Sequence, residues 1–299
     1  MKVTQQSVTS TFQAIQDEIC LSLEQCDGKA AFHEDLWKRE GGGGGRTRVI
    51  RDGNIFEKGG VNFSEVHGTC SPALKQQLDS HADSFFATGV SIVIHPKNPH
   101  VPIIHMNIRY FELSDGVCWF GGGIDLTPHF IDVNQAKQFH TGMKAVCDQF
   151  DTDYYPRFKK WADDYFFIPH RNETRGIGGI FFDHLGKGAD SNKSIFDFTC
   201  AVGRTFAPLY TSLVNEKKAL PFTSEQKDWQ GLRRGRYVEF NLVHDRGTRF
   251  GLVSNGRTES ILMSLPSHAN WEYMHSVEEN SPEEFTQSKL IKGIDWINA

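Results

Sequence analysis

The chain has 299 residues, a hydrophobic fraction of 38% and a charged fraction of 23%, the balance of a soluble globular protein able to bury one sizeable core. Its net charge of −5 argues against a nucleic-acid partner, and no run of 18 apolar residues is present to span a membrane. Six scattered cysteines without a CxxC pair exclude a zinc ribbon and fit a reducing compartment. The N-terminal MKVTQQSVTS lacks a signal or transit pattern, so the expected location is the cytoplasm.

Residues 3–27 predict an amphipathic helix, since Val8, Phe12, Ile15, Ile19 and Leu23 recur at spacings of three and four and Gly28 suits its end. A short helical run from Phe32 to Arg39 leads into Gly41–Gly45. No GK[ST] closes this glycine run, so it is not a P-loop. It reads either as a flexible loop or as a lid or anion-facing nest helped by Arg46 and Arg48. RTRVI, NIFEKG and GVNFSEVHG read as short strands, and Ala73 to Leu78 as a helix.

The stretch SIVIHPKNPHVPIIHMNIRYFE, Ser91 to Glu112, reads as a β-hairpin. On its second strand Ile104, Met106, Ile108 and Tyr110 share one face, and Ile103, His105, Asn107, Arg109 and Phe111 the other. Ser91 and His95 on the first strand would lie beside His105 and Asn107. Unpaired polar groups in a core cost roughly 1–3 kcal/mol each, so this face is meant for water or for a ligand, and the bordering Val93, Ile103 and Phe111 favour a cleft.

In GVCWFGGGIDLTPHF a strand is expected to end at Phe120, with three glycines forming a turn that presents Asp125 to a ligand. Asp132 with Gln135 has helix-capping spacing, which leaves Asp125 for another task. Helices follow at 133–150, where His140 lies on or beside the apolar face, and at Tyr154 to Phe167, ending before Pro169 and His170. RGIGGIFFDHL reads as a loop and a buried strand, without a full GxGxxG pattern. A helix from Ser194 to Lys218 should kink or split at Pro208, and a basic helical stretch WQGLRRGR should lead into strands YVEFNLVHD and RFGLV. Arg257 follows an Asn-Gly turn, and the tail from Trp271 ends in an amphipathic helix. Strands in succession bracketed by helices, with no internal repeat or dividing linker, predict a single α+β domain over residues 1–299. Its large, mostly antiparallel sheet would carry helices on both faces.

Ser91, His95, His105, Asn107, Arg109, Asp125, His140, His170 and Arg257 together suit an anionic ligand and proton transfer. A site for Mn, Fe or Zn is the second reading, although the histidine spacing makes no local motif.

SIVIHPKNPHVPIIHMNIRYFE, WFGGGIDLTP, YYPRFKKWADDYFFIPHRNETRGIGGIFFD and GRYVEFNLVHDRGTRFGLVSNGRTESILMSLP closely resemble the oxygen-dependent coproporphyrinogen III oxidases. So does WKREGGGGGRTRVIRDGNIFEKGGVNFSEVHG, and the similarity covers nearly the whole chain. The resemblance implies a step of haem biosynthesis in which two propionates of coproporphyrinogen III become vinyl groups of protoporphyrinogen IX. O2 is the oxidant and no organic cofactor takes part. It implies a large flat sheet between helices and a homodimer, with residues 237–271 as the dimer-forming region. It matches Ser91, Asn107, Ile108, Arg109, Asn255, Gly256 and Arg257 to substrate contacts and His105 to a proton donor, and on such a substrate Asp125 is the candidate carboxylate to collect the pyrrole N–H groups and favour loss of a pyrrole proton. His95, His105, His140 and His170 match positions assigned to a divalent metal, often manganese, in some bacterial members. A non-catalytic tetrapyrrole or anion carrier on the same scaffold is the competing class.

Overall fold

The computed structural model describes residues 3–188, 192–253 and 256–299. In chain order the elements are α1 (Gln5–Asp27), β1 (His33–Lys38), β2 (Gly43–Arg51), β3 (Phe56–Thr69), α2 (Pro72–Leu78), β4 (Ser84–Pro96), β5 (Ile103–Leu113), β6 (Cys118–Thr127), α3 (Val133–Asp148), α4 (Tyr154–Tyr165), β7 (Phe167–Ile168), β8 (Glu173–Thr174) and β9 (Gly178–Leu185). Then come α5 (Lys193–Lys217), α6 (Ser224–Glu239), a π-helical turn (Phe240–His244), α7 (Arg246–Val253), α8 (Thr258–Leu262) and α9 (Pro282–Ser288). The main sheet has seven antiparallel strands in the order β1-β2-β3-β4-β5-β6-β9. This is the expected α+β architecture.

Strand alternation gives the sheet two unlike faces. Val61, Ile92, Met106, Ile124 and Ile180 form one cross-strand row, and Phe63, Val90, Ile108 and Phe182 contribute to the next. These residues are buried in one core with Phe12, Ile15 and Ile19 of α1, Phe139 and Met143 of α3, and Phe198, Val202 and Phe206 of α5. On the other face, Tyr237 of α6 packs on Val93 and Ile103, Phe240 of the π turn packs with Phe166 and Phe181, and Met263 lies over Gly60. Helices therefore cover both faces, but unevenly.

Several expected elements form differently. Residues 33–38 make an edge strand rather than a helix, because pairing with β2 satisfies their backbone. Most of the Gly41–Gly45 run is strand too: Gly43, Gly44 and Gly45 open β2, and a Cβ on Gly45 would stand 2.3 Å from the Trp37 ring. The glycines at 121–123 do not end a strand but sit inside β6, which runs on to Thr127. YVEFNLVHD continues α6 and the π turn, and RFGLV lies in α7, so neither is a strand. α5 passes through Pro208 unbroken. Asp132 caps α3 as expected, accepting from the amides of Asn134 and Gln135.

Candidate functional site

Cross-strand register builds a polar floor on the second sheet face. Asp35, Thr47, Asn62, Ser91, Asn107 and Gly123 stand opposite one another from β1 to β6. The next row is Trp37, Gly45, Ser64, Gly89, Arg109 and Gly121, and a third places Val93, His105 and Asp125 in line. Thr47 ties the floor to the covering segment: its hydroxyl donates to Asn62 Oδ1 (2.6 Å) and lies 2.9 Å from the Ser260 hydroxyl at the end that α8 covers. The first two rows are largely glycine or small polar residues, and Ser91, Asn107 and Arg109 stay half-buried. The hairpin expectation is met for Ser91, which faces Asn107 directly.

Under α6 and the π turn lies a buried charge chain. His105 and Asp125 are cross-strand partners, and His105 Nδ1 is 2.7 Å from Asp125 Oδ1. Arg175, from the loop between β8 and β9, donates through Nη2 to both carboxylate oxygens at 2.9 and 2.7 Å. Its guanidinium is enclosed by the rings of Phe166, Tyr237 and Phe240 at 4.4–4.7 Å, and its Nη1 donates to Asn241 Oδ1 at 2.8 Å. Asp125 is 1% exposed and Arg175 3%. Burial pushes the Asp125 carboxyl up, but the Arg175 charge and the His105 hydrogen bond outweigh it and hold the group below the usual carboxylate range. Both Asp125 oxygens are thus engaged within the chain, unlike the open carboxylate expected on a glycine turn. His105 is the member of the chain that keeps exposure, at 16% of its side chain. With Nδ1–H given to Asp125, its Nε2 is the atom able to accept or return a proton.

Arg109 lies across Gly121, where a Cβ would come within 2.7 Å of its Nε. It pairs with Asp183 of β9 at 2.7 Å, and its Nη1 is 3.4 Å from Asn107 Oδ1. The Ile108 side chain points the other way, into the core beside Ile15 and Gly203, so Ile108 brings only backbone to the polar face. Arg257 reaches the floor from above, pairing with Asp35 and lying 6.0 Å from the Trp37 ring. Gly256 donates its amide to Gly251 O at 2.8 Å, and Asn255 falls outside the described residues. Sequence reasoning missed Arg175, Asn241, Asp183 and Asp35. Arg175 carried a weak signal, an arginine just ahead of GIGG; the others carried none.

The four histidines matched to metal do not converge. His95 Nε2 bonds to Ser264 O at 2.8 Å and His140 Nε2 to Ile177 O at 3.0 Å. His170 lies between Glu239 (2.8 Å) and His244 (2.9 Å), and His105 is engaged by Asp125. Among the described residues, no three His, Cys, Asp or Glu side chains are grouped to hold a metal ion. These residues therefore do not fit one shared metal.

The chain matches the family model described as coproporphyrinogen III oxidase over residues 7–296. It is 48% identical to proteins named oxygen-dependent coproporphyrinogen-III oxidase from two Prochlorococcus marinus strains, NATL1A and NATL2A. In each case 94% of this chain aligns with 88% of the relative. This chain belongs to the coproporphyrinogen III oxidase family.

Proposed function

We propose that the protein converts coproporphyrinogen III to protoporphyrinogen IX with O2. Each reacting arm balances as –CH2CH2COOH + O2 giving –CH=CH2 + CO2 + H2O2, so the arm is oxidised by two electrons and dioxygen is reduced to peroxide. Two arms react, and the electrons come from the substrate itself, so O2 suffices as co-substrate and no organic cofactor is invoked. The observation that supports this reading is the His105–Asp125–Arg175 chain at one end of a smooth polar floor flanked by Arg109 and Arg257. The small residues of the floor suit the face of a macrocycle, and guanidinium groups suit its propionates. His105 Nε2 takes a pyrrole N–H proton, making the ring more electron-rich towards O2, and later returns a proton. Asp125, held in place by Arg175, fixes the imidazole's tautomer and stabilises its cation.

Aerobic incubation with coproporphyrinogen III, followed by protoporphyrin fluorescence after oxidation, tests the reading. Oxygen-dependent product supports it, whereas tetrapyrrole bound but chemically unchanged would favour a carrier.

The protein acts as a homodimer in this proposal. Exposed Leu242, Val243, Leu252, Val253, Trp271, Tyr273 and Met274 give the region from the π turn to the tail an apolar surface suited to a self-complementary contact. No helix among the described residues is long and apolar enough to cross a membrane, and all six cysteines are free. The cysteines suit the reducing cytoplasm as the compartment.

A further inference from the structure

Both arginines on the polar floor are already met by carboxylates of this chain, Arg109 by Asp183 and Arg257 by Asp35. Neither pair neutralises a buried charge. Arg109 and Asp183 keep 37% and 25% of their side-chain exposure, and Arg257 and Asp35 keep 31% and 43%. Pairs this open to water add little to stability. Yet Asp183 is held firmly in place. Its Oδ1 accepts the His184 amide at 2.8 Å, and His184 adopts φ 49°, a left-handed conformation uncommon for a residue with a side chain. A Cβ on Gly121 would stand 2.8 Å from that same Oδ1 and 2.7 Å from Arg109 Nε, so carboxylate and guanidinium meet over a residue without a side chain. A guanidinium has five N–H donors, so Arg109 can still engage a second carboxylate.

We propose that Asp183 is a specificity-setting residue, a resident carboxylate that competes with substrate propionates for Arg109, as Asp35 does at Arg257. The inference rests on the propionate-bearing substrate proposed above. The substrate brings four carboxylates and the product two. A resident carboxylate repels every added one, so each arm is held loosely enough to leave and the macrocycle can reposition between the two reactions.

Binding of coproporphyrin III, the oxidised and unreactive tetracarboxylate ring, is measured by fluorescence quenching for wild type, Asp183→Asn and Asp183→Glu. Turnover of coproporphyrinogen III is measured alongside. Asp183→Asn should bind about three- to fivefold more tightly, with the gain shrinking at high salt and kcat falling together with KM as release slows. Asp183→Glu should stay near wild type. An Asp183→Asn protein with wild-type melting that binds the ring equally or more weakly overturns the proposal and makes Asp183 only a positioning residue for Arg109. If Asp183→Asn fails to fold, Asp35→Asn decides: tighter binding supports the proposal, and unchanged or weaker binding overturns it. Wild type that binds the ring but does not turn over the porphyrinogen counts against the functional reading, and the binding comparison still judges Asp183.

Discussion

Replacing Asp125 with Asn separates what the buried chain does for stability from what it does for chemistry. The substitution keeps the shape but removes a charge that is 1% exposed, leaving Arg175 buried with only Asn241 and three ring faces as partners. Breaking a buried pair in this way costs about 3–5 kcal/mol. The rings and Asn241 soften the loss, so the low end, about 3 kcal/mol, is expected, or a fall in melting temperature of roughly 5 °C for a protein of this size. The catalytic effect follows from His105. An amide in place of the carboxylate can donate to Nδ1 and turn the imidazole to the tautomer with Nε2 protonated. It also no longer stabilises the cation, and kcat/KM should fall about 10²–10⁴-fold. The assay is protoporphyrin fluorescence, with melting followed on the same preparations. The double variant Asp125→Asn/Arg175→Met removes the stranded charge and should recover most of the melting temperature while staying inactive. A folded Asp125→Asn enzyme with wild-type kcat/KM would refute the assignment of His105 and its orienting pair.

Three further outcomes follow from the geometry. Gly121→Ala places a methyl group within 2.7 Å of Arg109 Nε, so KM should rise about tenfold with little change in kcat; an unchanged KM would show that Arg109 does not hold an arm in that position. His95 and His140 are wholly buried, and burial pushes each imidazole down to about 3. Their neutral forms stabilise the fold fully above the unfolded pKa of about 6.5, and that stability is lost as pH falls towards 3, at about 1.4 kcal/mol per pH unit for each histidine. Denaturant unfolding between pH 6 and 4 should show this slope, and His140→Gln should lessen it by about one proton; an undiminished slope would sink the assignment. Val243→Asp, at a residue 61% exposed, should convert a dimer into a monomer in sedimentation, while a variant that stays dimeric would move the interface elsewhere.

The local pattern of the chain carried much of the fold. The helix periodicity at Val8, Phe12, Ile15 and Ile19 and the alternation through Ile104, Met106 and Ile108 both reappear as buried stripes. Periodicity failed where polar residues face inward. In α6 and the π turn, buried Trp229, Leu232, Tyr237 and Phe240 are interleaved with buried Gln230, Arg233, Arg234 and Asn241, so the apolar stripe is masked by polar neighbours and the alternation of Val238, Phe240 and Leu242 read as a strand. The glycines of β2 read as a loop or lid, and those of β6 as a turn, for a similar reason. Glycine commonly punctuates local structure, but these glycines answer to neighbours distant in sequence, the Trp37 ring at Gly45 and the Arg109–Asp183 pair at Gly121.

The sequence by itself determined that His105, Asn107 and Arg109 share one strand face with Ser91 opposite, because side-chain alternation is a local property of extended backbone. Only the tertiary structure decided what those side chains meet. It placed Arg175, 50 residues along the chain, on Asp125, and Asp183 and Asp35 on the arginines. It also sent the other three histidines to separate partners. The strength of a charged contact depends on burial and on distance through space, and neither is written in the spacing of residues along a chain.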